Sequence, residues 1–63
     1  MTTKQIKSAL INGENFGNEA ANWYSVCKPS QNIYWIVICE KNFFFNNIDS
    51  VSKKIAQLIK RGY

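Results

Sequence analysis

The stretch Asn32–Ile48, NIYWIVICEKNFFFNNI, decides the fold. Its first half, Ile33 to Glu40, is β-branched and aromatic, the composition of a strand. Side chains alternate along a strand, so Ile33, Trp35, Val37 and Cys39 share one face and Tyr34, Ile36, Ile38 and Glu40 the other. Both faces are apolar, and such a strand asks for cover on both sides. Lys41-Asn42 predicts a tight turn, because Asn tolerates a left-handed backbone. Phe43 to Asn46 then reads as a further strand, with Phe43 and Phe45 opposed to Phe44. So short a connection implies antiparallel pairing.

Toward the C-terminus, Val51, Ile55, Leu58 and Ile59 recur at i, i+4, i+7 and i+8, one apolar stripe of a helix. Asp49 or Ser50 is the expected cap, Ile48 a hydrophobic staple before it, and Gly62 the stop after Arg61. Toward the N-terminus, Trp23 to Lys28 (WYSVCK) reads as a strand, followed by turn chemistry in Pro29-Ser30-Gln31-Asn32. Trp23, Ser25 and Cys27 face one way, Tyr24 and Val26 the other. Glu14 to Asn22 reads as a loop, with a single helical turn at Glu19-Ala20-Ala21. Ile6, Ala9 and Leu10 suit a short helix over Thr3 to Ile11, capped by Thr2 or Thr3 and stopped at Asn12-Gly13. A short strand is the alternative there.

The expected fold is therefore α+β: a three-stranded antiparallel β-meander packed by a C-terminal amphipathic helix, with a short N-terminal helix, in the order α-β-β-β-α. Residues 1–63 are expected to form a single small domain. A chain this short buries only about 60% of the surface it exposes when unfolded. Hydrophobic residues make up 46% and charged residues 19%, which is globular composition. Nine aromatic rings are more than one small layer can hide. The rings left over are expected on a partner-binding surface.

No apolar run has the length of a signal core or a membrane span, so the expected location is cytoplasmic, without membrane contact. Cys27 and Cys39 fall inside predicted strands and are expected as buried free thiols. No cofactor and no metal is expected: the chain has no histidine, and two sulfurs twelve positions apart fall short of zinc's usual four ligands. Catalysis is not expected either, since the serines lack a base and Glu14, Glu19, Glu40 and Asp49 are scattered.

The chain carries a net charge of +4. At 100° per residue, Lys53, Lys54, Gln57, Lys60 and Arg61 fall within an arc of roughly 120° opposite the apolar stripe. Lys60 and Arg61 suit a helix C-terminus, whereas Lys53 and Lys54, placed in the first turn, would oppose the helix dipole. A row of cations facing phosphates accepts such a cost. Nucleic acid is thus the first expected partner, with Lys53, Lys54, Lys60 and Arg61 on phosphates and Lys28 and Lys41 assisting from the sheet's turns. Exposed rings among Trp23, Tyr34 and Trp35 would stack on unpaired bases. The alternative is a protein-interaction module, either a homodimer or a small inhibitor or adaptor, binding through Trp23, Tyr34, Trp35 and Ile36 on the aromatic sheet face.

The order strand, strand, strand, helix, with Ser52-Lys53-Lys54 opening the helix, resembles the double-stranded-RNA-binding domain, whose helix begins with a similar basic triplet. The chain lacks the Gly-x-Gly before that triplet, and Pro29-Ser30 departs from the loop that enters the minor groove. A three-stranded sheet with a C-terminal helix is also similar to the arm-binding domains of phage-type integrases, which use the sheet face on DNA. Both likenesses concern the order of elements, and architecture does not fix function.

Overall fold

The computed structural model describes residues 1–63. Helix α1 spans Thr3–Ile11, strand β1 Gly17–Asn18, β2 Trp23–Lys28, β3 Ile33–Ile38, β4 Lys41–Phe44, and helix α2 Ile48–Lys60. The strands form one antiparallel sheet in the order β1-β2-β3-β4. The expected α+β architecture is the one observed, enlarged by the two-residue strand β1.

Both helices lie on the same face of this sheet. Their buried residues, Ile6 and Leu10 from α1 and Val51, Ile55 and Leu58 from α2, join Trp23, Cys27, Tyr34 and Ile36 in one core. The stripe read from the sequence supplies three of these helical residues, and burying each such side chain contributes roughly 1.5–3 kcal/mol. Helix α1 forms as expected and is closed by a reciprocal cap. The Gln5 amide donates to Thr2 Oγ1 at 3.2 Å, and the Thr2 amide donates to Gln5 Oε1 at 2.8 Å.

A polar strap carries the chain from α1 to the sheet. Asn15 Oδ1 accepts from the Cys27 amide at 2.9 Å and from Ser25 Oγ at 3.2 Å, and Ser25 Oγ accepts from the Phe16 amide at 2.8 Å. The Ser25 amide in turn donates to the Phe16 carbonyl at 2.7 Å. This cluster gives the buried Ser25 hydroxyl its partners and sets the register in which Gly17 faces Tyr24. A Cβ at Gly17 would stand 3.0 Å from the Trp23 carbonyl oxygen and from Tyr24 Cβ, so the pairing needs glycine.

Three expectations are corrected. The tight turn is Cys39-Glu40, with φ of 49° and 67°, not Lys41-Asn42, and β3 ends at Ile38. The observed register sets Phe43 across from Ile36 and Phe44 across from Trp35. A turn at Lys41-Asn42 would have set Phe43 against Glu40 and drawn Asn47 into the strand. Aromatic cross-strand pairing outweighs the turn preference of Asn42. Second, Asn47 caps α2, with its Oδ1 accepting from the Ser50 amide at 2.8 Å, so Ile48 opens the helix and is no staple before it. Lys53 and Lys54 consequently lie in the second turn, where the dipole penalty has faded. Ser52 does not open the helix either and is fully buried within it. Third, Cys39 is exposed on the turn; only Cys27 is a buried thiol, and both are free.

Candidate functional site

The uncovered face of the sheet follows from the register. Tyr24, Val26 and Lys28 of β2, Ile33, Trp35 and Val37 of β3, and Asn42 and Phe44 of β4 point away from the helices. Tyr24 is 54% exposed and Phe44 74%, while Val26, Ile33, Trp35 and Val37 are half-buried by their neighbours on the sheet. The Trp35 and Phe44 rings meet tilted by 48° with centroids 6.0 Å apart, which holds both rings in place. The result is a preformed apolar surface with Lys28 as its single charged residue.

Four residues were expected on the interaction surface, and only Trp35 lies there. Trp23, Tyr34 and Ile36 belong to the core beneath the helices, at 3%, 7% and 0% exposure. They cannot stack on bases or meet a partner. Tyr24, Val26, Val37 and Phe44 take the place assigned to them. A signal for this was present: Lys28 shares the parity of Tyr24 and Val26, and a lysine at a strand position marks the solvent side.

Charge is divided between the layers. The helices and the cap of α2 carry Lys4, Lys7, Lys53, Lys54, Lys60 and Arg61 against one acid, Asp49. The sheet and its loops carry Lys28 and Lys41 against Glu14, Glu19 and Glu40. The whole positive excess therefore lies on the helix layer. The arc on α2 divides in turn. Lys53, Gln57 and Lys60 line an open groove with Thr2 and Thr3 at the start of α1. Lys54 and Arg61 line a smaller one with Trp23, Ile38, Leu58 and Tyr63. Lys28 and Lys41 stand at opposite ends of the sheet and on opposite faces: Lys28 looks away from the helices, while Lys41 stands across from Ile38, which lines the groove of Lys54 and Arg61.

Lys7 is engaged within the helix layer, its Nζ 2.8 Å from Asp49 Oδ1. That hydrogen bond, reinforced by the Lys7 charge and more weakly by Lys53, holds the Asp49 carboxyl below its ordinary pKa. Burial pushes the Cys27 thiol up, only partly offset by a hydrogen bond with the Trp35 backbone, so Cys27 stays protonated and unreactive near neutrality. No three His, Cys, Asp or Glu side chains gather into a metal-binding group. No helix is long and apolar enough to cross a membrane. No protein-family model matches the chain, and comparison with curated proteins and with solved structures gives no match.

Proposed function

We propose that the chain is a small non-enzymatic binding domain whose helix layer contacts nucleic acid. The observation that carries this reading is the placement of the positive excess: six of the eight cations and a single acid lie on one layer. Lys53 and Lys60 stand about 10 Å apart along the axis of α2, spaced for separate phosphates, and Lys4 extends the basic surface onto α1. Lys54 and Arg61 form a second row on the flank of the same helix. Lys28, on the opposite face of the sheet, makes a minor contribution at most. Phosphate contacts of this kind give affinity with little sequence preference.

The test is fluorescence anisotropy with short labelled single- and double-stranded oligonucleotides over a range of salt. Four phosphate contacts give a slope of about −3 to −4 in log affinity against log salt on a duplex. Reversing Lys53 and Lys60 to Glu together should weaken binding at least tenfold (about 1.4 kcal/mol). Lys28→Gln should have a much smaller effect. Absence of binding at low salt would sink this reading.

A further inference from the structure

We propose that the outer face of the sheet closes against the same face of a second copy, about a twofold axis running across the strands. The face is built for itself. Its middle is apolar, and its two ends differ in charge. Lys28 stands at one end of β2, while Glu19 and Glu40 occupy the turns at the other end, joined there by the Cys39 amide donating to the Asn22 carbonyl at 2.8 Å. A twofold axis across the strands turns one copy end for end. Lys28 of each copy then meets the Glu19 and Glu40 end of the other, twice over, as an isologous interface requires. A twofold along the strands would set Lys28 beside Lys28 and lose this complementarity.

The remaining cations do not oppose the pairing. Lys41 shares the Glu40 end but stands across from Ile38, on the parity that faces the helices, which leaves that end a net acid with Glu19 and Glu40. The other six lie on the helix layer behind each sheet, so a face-to-face dimer carries them on its two outer surfaces, separated by the thickness of four layers. Sheets stack about 10 Å apart, and screening in physiological salt reaches only about 8 Å. Area sets the strength. With about 200 Å² per ring, the exposures of 54% and 74% leave roughly 250 Å² on Tyr24 and Phe44 alone. The half-buried Val26, Ile33, Trp35 and Val37 bring the patch to about twice that at most, short of the roughly 800 Å² per partner of a standard interface. The dimer is therefore a weak one. This proposal uses the surface opposite the basic helix layer, so it stands or falls independently of nucleic-acid binding.

Sedimentation equilibrium from about 10 μM to about 1 mM tests it. The wild-type mass should rise toward twice that of the chain within this range. Phe44→Glu, at a 74% exposed position, should leave the circular dichroism spectrum intact and remain monomeric. Lys28→Glu should weaken association about tenfold, and combining it with Glu19→Lys and Glu40→Lys should restore it, whereas Lys53→Glu should change nothing. A wild-type chain that stays monomeric overturns the proposal; if its tryptophan emission then responds to a single-stranded oligonucleotide, the face belongs to nucleobases. A dimer indifferent to Phe44→Glu overturns it as well, and failure of the charge reversal to rescue Lys28→Glu overturns the twofold arrangement.

Discussion

The two faces of β3 are nearly equal in apolar content and opposite in fate. Tyr34 and Ile36 lie sealed under α1 and α2, while Trp35 and Val37, between them in sequence, look outward. Hydrophobicity did not make this choice. Two helices supply one cover, and both fall on the side of Trp23, Ser25 and Cys27, where the Asn15 strap ties the chain leaving α1 to that strand. A chain of this length has no further layer for the other face, which stays open to solvent at Tyr24 and Phe44.

Alanine on the two faces should separate them most sharply. Ile36→Ala leaves a hole in a fully buried site and should cost about 2–5 kcal/mol, enough to threaten a small domain. Val37→Ala, one residue away, should cost less than about 1 kcal/mol in the monomer. Urea denaturation of dilute protein checks both. Equal losses would mean that the outer face is as well covered as the inner one.

The strap comes next. Asn15→Ala leaves the Cys27 amide and the Ser25 hydroxyl without their acceptor, at a cost of roughly 1–3 kcal/mol. Hydrogen exchange at the Cys27 amide should accelerate along with the lost stability. The sequence announced nothing of this, because Asn15 sits in a polar run whose composition reads as loop. The alternation of β2 and β3, the stripe of α2 and the cap of α1 were legible, since each follows from local periodicity or local hydrogen bonding. Which face would be buried could not be read from β3, both of whose faces are apolar, and the signal lay instead in β2, where Lys28 marks the outward parity. The groupings on α2 failed for a related reason: a helical wheel places Lys53 and Lys54 on one arc, but only the packing of α1 on one flank and the sheet on the other sends them into different grooves.

The turn at the end of β3 shows the same contest between local and tertiary preference. Cys39 and Glu40 both adopt left-handed backbone, which costs L-residues roughly 1 kcal/mol or more each. Replacing the pair by Asn-Gly should stabilise the protein by about 1–2 kcal/mol, read as a rise in the urea midpoint. The exposed thiol disappears with it, and since Cys27 is buried, a thiol reagent should then find no reactive cysteine in the folded chain. A loss of stability instead would show that Cys39 or Glu40 makes contacts on the outer rim that outweigh the backbone strain.

The smallest effect belongs to the helix layer. Asp49 is ionised more readily in the folded chain than in the unfolded one, because Lys7 hydrogen-bonds to its carboxylate and holds its pKa down. The unfolded chain therefore binds a proton first as pH falls. The stabilisation is present above the ordinary carboxylate value of about 3.9 and is lost as pH drops through the lowered folded value. Both side chains are well exposed, so solvent screens the pair and the contribution is slight. Asp49→Asn should flatten this part of the acid limb in urea midpoints compared between about pH 6 and about pH 2, with little change near neutrality. The substitution also frees Lys7 on the basic layer. If that layer meets phosphates, Asp49→Asn should bind oligonucleotide somewhat more tightly than the wild type at low salt, while dimerisation through the opposite face stays the same.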